Sequence, residues 1–388
     1  MKTQSKVLPS LLRQLNERQV LAALQAHGPL SRAEIARQTG ISFPTVTRVV
    51  TSLIDSRLLD ELEPTRNTIG RPGKLVCLAT KNVCVLGVVI GAKQCRVVAS
   101  GLNGSMIEDD SQQFATLPTY AELVTATVGA VREMLVGRRA TVLGLGVSVP
   151  GLLNRRDGRS IVSPNVHQLD GHNLANDLRE RLQLDTVVLQ ECHALCLAEQ
   201  VYGLAKGVAD FAMLDVSEGL GLGVMQGGRI VQGHCGLAGE LGHLTVELDG
   251  RPCGCGNRGC LETVATDTAL ATMVSERLGR PITIDEVLAG AATGELAIDT
   301  ELRQVVEYLA VAVAAVINIF NPSKLFIYGR LLDARPRLFD ELLERTAVRA
   351  LAPSFADCEI VRARGSKRLG AIAAAIHGAT NGWQAISL

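Results

Sequence analysis

No apolar run stands behind a basic segment at the N-terminus, and the longer apolar stretches elsewhere are broken by Gly, polar residues or helix-capping signals. Neither a signal peptide nor a membrane span is expected, so the reading is a cytoplasmic chain with no membrane partner. Net charge is missing as well: 39 Lys plus Arg stand against 39 Asp plus Glu, a balance that ordinarily argues against nucleic acid. Ten cysteines in 388 residues are too few for a secreted disulfide scaffold, and three of them crowd into eight positions near a histidine. That pattern favours a reducing compartment and metal ligation. With 47% hydrophobic residues the chain can bury substantial cores, and its length favours two or three domains.

The charge that cancels overall is unevenly placed. Residues 1–80 hold eleven Lys or Arg and six Asp or Glu, a net of +5 that leaves −5 for the remainder. A basic first domain on an acidic body attracts phosphate locally. Within it, Leu11, Leu12, Leu15, Val20, Leu21 and Leu24 predict an amphipathic helix ending at Gly28-Pro29. Ser31 and Glu34 form a capping box for a second helix, with Ile35 and Ala36 inward and Gly40 closing it. Ser42 is placed to cap a third helix, which buries Val46, Val49, Val50, Leu53 and Ile54 and leaves Thr45, Thr47 and Arg48 to enter a major groove. A small helical domain with an ordinary polar face has the same pattern. Strands at 58–63 and 75–78 flank a polar loop, residues 65–74, carrying Arg66, Arg71 and Lys74 in the form of a wing. Arg71 is either a DNA contact or an organiser of the domain boundary.

Beyond residue 80 the pattern is α/β. Val83 to Ile90 and Gln94 to Ser100 read as a hairpin, Tyr120 to Arg138 as a helix, and Thr141 to Val147 and Val187 to Gln190 as buried strands. Phe211 to Val216 runs into a glycine-rich tract. A long helix through Val305 and Ile317 ends at Asn321-Pro322; it is interrupted by polar residues and reads as a core helix. A strand at 325–328 and helices near 336–351 and 368–378 complete the chain.

The tract at 219–243, GLGLGVMQGGRIVQGHCGLAGELGH, permits close backbone approach, and amides exposed there would hold an anion or sugar oxygens; a tight hairpin explains many of its glycines equally well. Glu240 and His243 can orient adjacent hydroxyls or form an ordinary surface pair. His243, Cys253, Cys255 and Cys260 follow the spacing His-x9-Cys-x-Cys-x4-Cys, four soft ligands that suit a closed, structural zinc site with no position left for reactive water. The other seven cysteines lack such clustering and are expected to pack as small apolar groups.

These segments together resemble the ROK family of sugar kinases and winged-helix repressors. The likeness rests on SRAEIARQTGISFPTVTRVV at 31–50, GRPGKL at 70–75, GLGVSVPG at 144–151, SPN at 163–165, AGELGH at 238–243 and CGCGNRGCLE at 253–262. The resemblance implies a winged helix-turn-helix over residues 1–80 and, over 81–388, a two-lobed actin-like sugar-kinase fold with a structural zinc site. It further implies a sugar pocket between the lobes that includes Asn165, Glu240, His243 and Glu262, its floor shaped in part by Gly151. The chain departs from the kinase pattern where D-I-G-G-T-K becomes Val89-Ile90-Gly91-Ala92-Lys93-Gln94, and where N-D-A-N becomes Gln190-Glu191-Cys192-His193. Glu191 keeps a carboxylate but displaces it by a methylene, and errors near one ångström cost roughly 100-fold in rate. The expectation is therefore a DNA-binding, non-enzymatic regulator of carbohydrate genes. It would be a homodimer or homotetramer on operator DNA that senses a sugar or sugar phosphate, with Glu191 among the ligand-binding residues. The alternative is an ATP-dependent sugar kinase that retains a DNA-binding domain.

Overall fold

The computed structural model describes residues 9–62, 74–80, 82–104, 106–138 and 140–381. These residues divide into two compact units, one made of those described within 9–148, 174–189 and 371–381, the other of 149–173 and 190–370.

The first unit begins with helices Pro9–His27, Arg32–Thr39 and Phe43–Asp55. The capping box is formed: Ser31 Oγ accepts from the Glu34 amide at 3.3 Å, and Glu34 Oε2 accepts from the Ser31 amide at 2.8 Å. Gly40 closes that helix in the left-handed region at φ 69. Ser42 occupies the cap position of the third helix without making a capping bond; its hydroxyl lies 2.9 Å from the Thr45 hydroxyl instead. Val46, Val49, Val50 and Leu53 are buried, whereas Ala36 and Ile54, both expected inward, are half-buried at the edge of the helical core. Strands Leu59–Leu62 and Leu75–Leu78 pair antiparallel, and Leu30–Ser31 adds a third strand to this small sheet. Arg71 and Arg66 lie outside the described residues. Lys74 is described, and its Nζ lies 2.8 Å from Glu61 Oε2 while Arg32 donates to Glu61 Oε1 at 2.8 Å. Those two hydrogen bonds, Lys74 first, hold the Glu61 carboxyl below its ordinary range.

The rest of the first unit is a five-stranded sheet. Val83–Ile90 and Gln94–Ser100 form the expected hairpin, Met106–Ala115 extends it, and Thr141–Val149 pairs parallel to Val83–Ile90, with Thr186–Gln190 beside it. Every residue of Val83–Ile90 is buried because protein covers both faces. A Cβ on Gly146 would lie 2.0 Å from the carbonyl oxygen of Ala371, so glycine there lets the last helix, Lys367–Asn381, lie against the sheet.

The second unit repeats this topology. Phe211–Asp215, Gly221–Gln226 and Arg229–Ile230 form an antiparallel meander; Lys324–Tyr328 and Glu359–Arg362 add on in parallel. Asp299–Phe320 is long and apolar enough to cross a bilayer. Its apolar side, including Val305, Leu309, Val313 and Ile317, is instead fully buried in this unit's core.

Candidate functional site

The second unit contains a cavity of about 240 Å³ lined by Asn165, Glu191, Glu240, His243 and Glu262, together with Gly151. All five ligand-binding candidates from the sequence therefore meet in one place, and every lining residue belongs to this unit. The glycine tract makes the wall possible by packing. Cβ atoms at Gly221 and Gly223 would lie 2.3 Å from Cys192 Sγ and 2.6 Å from Cys196 Sγ, so their absence lets helix Glu191–Val201 lie on strand Gly221–Gln226. Gly239, at φ +100, sits where a side chain would lie 2.1 Å from the carbonyl oxygen of Leu222.

Sequence reasoning did not anticipate the residues at the buried end. Asp215 closes its strand and is almost fully buried, with Oδ1 accepting from the Ser217 amide at 3.0 Å and the Ser217 hydroxyl at 2.6 Å. Lys367, the first residue of the last helix, places Nζ 2.9 Å from Glu191 Oε1 and 3.3 Å from Asp215 Oδ2. Burial opposes charge on Lys367, but Asp215 and then Glu191 outweigh it and hold the ammonium well above its ordinary pKa. Burial pushes the Glu191 carboxyl up to about 7, against the pull of Lys367 and with a further push from Asp215. His193, also on the lining, is pushed down to about 4 by burial and is neutral. Glu191 thus faces the buried ammonium of Lys367 at 2.9 Å.

One ligand-atom each from His243, Cys253, Cys255 and Cys260 lies within 4.8 Å of the other three, a set able to hold a metal ion. His243 Nδ1 is 3.6 Å from Cys253 Sγ, while its Nε2 is 3.6 Å from Glu240 Oε2. The imidazole therefore turns one nitrogen to the cluster and the other to a carboxylate, which fixes its tautomer when Nδ1 is a ligand. Glu262 joins cluster and cavity: Oε1 accepts from the Cys253 thiol at 3.2 Å and Oε2 from the Leu220 amide at 3.2 Å. Gly259, at φ +67, brings the loop so close that a Cβ would lie 1.6 Å from the Glu247 carbonyl oxygen. Of the other cysteines, Cys84, Cys95, Cys196 and Cys358 are buried as expected, but Cys77, Cys192 and Cys235 are partly exposed, and Cys192 lines the cavity.

The first unit carries the candidate nucleic-acid face. Arg48 is exposed on helix Phe43–Asp55, and Thr45 and Thr47 are half-buried. The Thr47 hydroxyl donates to the Phe43 carbonyl at 3.0 Å, so it is occupied within its own helix. Arg48 and Thr47 line a shallow groove with Arg13 and Thr51, neither singled out by the sequence, and Arg13 donates to Ser52 Oγ at 2.7 Å. Phe43, 54% exposed at the start of the helix, was likewise not anticipated because large apolar residues are normally read as core.

The ROK family profile matches residues 85–379, and the MarR family profile matches residues 13–67. The chain is 28% identical over 388 residues to the DNA-binding transcriptional dual regulator NagC of Escherichia coli (strain K12), covering 96% of this chain and 95% of that protein. It is 22% identical over 345 residues to the xylose repressor of Bacillus subtilis (strain 168), covering 88% of each. Among solved structures it is similar to a ROK family transcriptional regulator, a homolog of the E. coli MLC protein, with TM-score 0.80, 25% identity, and coverage of 96% of this chain and 98% of that one. A ROK family glucokinase from Streptomyces griseus, solved with glucose and AMPPNP, shares the fold at TM-score 0.65 and 22% identity over 75% of this chain and 98% of its own.

Proposed function

The chain belongs to the ROK family, and from that premise we propose that it is a cytoplasmic transcriptional repressor of carbohydrate uptake or catabolism genes, released from its operator by a sugar. The observation that carries this reading is that one chain joins a MarR-like segment at 13–67 to a ROK body and aligns along nearly its whole length with regulators of that build. Residues 1–80 are the DNA-reading domain, with Thr45, Thr47, Arg48 and Arg71 as its contacts, and residues 81–388 are the effector-binding and oligomerising domain. As a homodimer or homotetramer it presents two or more reading helices to operator half-sites. Asn165, Glu191, Glu240, His243 and Glu262 line one cavity and supply hydrogen-bonding groups for the effector.

The metal proposed for the Cys3His set is zinc. A tetrahedral ion with Zn–S near 2.3 Å and Zn–N near 2.0 Å sets S···S at about 3.8 Å and S···N at about 3.6 Å. Cys255 Sγ and Cys260 Sγ are 3.8 Å apart, and Cys253 Sγ is 3.6 Å from His243 Nδ1. When bound, zinc supplies structural cross-linking, with no coordination position left for hydrolytic chemistry.

Regulation requires that the effector bind the DNA-competent and DNA-incompetent states unequally. A genome-wide map of bound DNA tests the reading: sites beside carbohydrate genes support it, and absence of specific sites sinks it. The kinase alternative is opposed by Val89, where the kinase pattern has an acid, and by the extra methylene that displaces the Glu191 carboxylate. Sugar-dependent ADP production with Mg-ATP, abolished by Glu191→Ala, would replace the regulator reading with an enzymatic one.

A further inference from the structure

Phe43 opens helix Phe43–Asp55 and stands 54% exposed, while Val46, Val49, Val50 and Leu53 of the same helix are buried. A ring left in water gives up the burial that normally stabilises a phenylalanine. Thr47 and Thr51 follow it at intervals of four, which places all three on successive turns of one side of the helix. The Thr47 hydroxyl donates to the Phe43 carbonyl at 3.0 Å, and the Thr51 hydroxyl donates to the Thr47 carbonyl at 2.9 Å. Both protons are spent inside the helix. The Thr45 hydroxyl is engaged as well, 2.9 Å from that of Ser42. What this side offers outward is therefore a ring, two methyl groups and acceptor oxygens. The charged donor on the helix is Arg48, exposed next to Thr47.

The surroundings select what this strip meets. The MarR profile at 13–67 spans the helix, and residues 1–80 carry the chain's local excess of positive charge. Arg13 and Arg48 line the groove that Thr47 and Thr51 share. The carboxylate in that groove, Asp55, is the last residue of the helix, about 18 Å along the axis from Phe43. An apolar strip beside cations suits a polyanion that carries apolar groups in its groove. In the major groove of DNA that group is the 5-methyl of thymine, and a Phe ring and a Thr methyl are side chains that meet it. From Phe43 to Thr51 the helix rises about 12 Å, the length of about three to four base steps.

We infer that Phe43 is a specificity-determining residue that reads thymine by its 5-methyl group, with the Thr47 and Thr51 methyls extending the same apolar strip along the groove. This assignment rests on the DNA-reading role proposed above and adds the chemistry that is read: methyl groups, beside the contact made by Arg48.

The probe is the duplex that full-length protein selects from a pool of random sequence, remade with each thymine in turn replaced by deoxyuridine. That replacement removes one methyl group and keeps every base-pair hydrogen bond. Burying a methyl group is worth about fourfold in affinity, so at least one replacement per half-site is expected to weaken wild-type binding by about that factor. At that position Phe43→Ala should bind the thymine and uracil duplexes equally, and Phe43→Leu, still apolar, should keep a preference for thymine. A scan in which no replacement weakens binding overturns the inference while the DNA-reading role stands. A methyl preference undiminished in Phe43→Ala overturns it too. So does a Phe43→Ala protein that binds no duplex and melts early, which makes Phe43 a residue of the fold, or one that binds DNA as the wild type does but changes its oligomeric state, which makes Phe43 a protein contact. If the wild type selects no sequence from the pool, the DNA-reading role itself fails and takes the inference with it.

Discussion

Lys367 holds together two carboxylates that would repel each other without it. Its Nζ is within 3.3 Å of both Glu191 and Asp215, and all three side chains are largely removed from water. Deleting one partner of a buried ionic set leaves an uncompensated charge, at a cost of about 3–5 kcal/mol. Lys367→Met is therefore expected to lower the thermal midpoint sharply, and adding Glu191→Gln should recover part of the loss. A Lys367→Met protein that melts with the wild type contradicts the ion-pair geometry. Glu191 makes a second prediction. Its carboxyl is raised from 4.5 to about 7 by burial, so between those values the folded state holds a proton that the unfolded state has released. Stability carried by this group is present below about pH 4.5 and falls as pH rises through about 7. Buried His193 and half-buried His377, both pushed down to about 4, have the opposite slope over part of the window, so the measurement is a difference. Wild-type stability minus that of Glu191→Gln, from denaturant titrations between pH 4.5 and 7.5, should decline with pH; a flat difference denies the raised carboxyl.

Local rules were sufficient for elements whose stabilising contacts lie within a few residues. The Ser31–Glu34 box, the hairpin of Val83–Ile90 and Gln94–Ser100, and the histidine-cysteine spacing are all of this kind. Strand Met106–Ala115 was not legible, because MIEDDSQQFA lacks apolar alternation and its pairing comes from Gln94–Ser100 alone. Helices Asp267–Leu278 and Ile284–Thr293 are capped by Thr266 and Thr283, but a cap alone is too weak a local signal to predict a helix. Lys367 could not be found by any local pattern, since it reaches Glu191 and Asp215 only after the last helix has packed. The helix proposed to read DNA yields a prediction at this scale. Arg48 is exposed while the Thr47 hydroxyl is satisfied by its own helix, so Arg48→Ala should cost more operator affinity than Thr47→Ala. A base contact loses about 1–3 kcal/mol at one operator position, whereas a phosphate contact weakens all sequences alike and lowers the salt slope by about 1. Equal, negligible effects in both variants would remove this helix from the interface. The metal loop yields another. Chelation should lower the thermal midpoint and weaken sugar binding together, since His243 and Cys255 belong to both cluster and cavity, and zinc should restore both. A midpoint indifferent to chelation and to Cys255→Ser rules out a structural ion.

If the second unit's cavity holds the effector and helix Phe43–Asp55 reads DNA, thermodynamics joins the two without any particular route between them. If a sugar lowers operator affinity by some factor, operator DNA must lower sugar affinity by the same factor, because both describe one coupling free energy. Typical couplings are about 1–3 kcal/mol, or roughly 5- to 150-fold, well within reach of titration. Four of the carboxylates that line the cavity have partners within the second unit, Glu191 and Asp215 on Lys367, Glu240 on His243 and Glu262 on the Leu220 amide. A sugar that replaces some of these contacts acts by changing how tightly that unit is held in one conformation, and only a difference between two conformations can alter DNA affinity. The prediction is a matched pair of measurements at one salt concentration: sugar affinity with and without saturating operator, and operator affinity with and without saturating sugar. The two ratios should agree. A sugar that binds in the cavity yet leaves both ratios at unity would make the chain a DNA-binding protein with a ligand site but no switch. Glu240→Gln then tests one contributor: if both ratios fall together while the sugar still binds, the Glu240–His243 contact carries part of the coupling, and if they hold, it carries none.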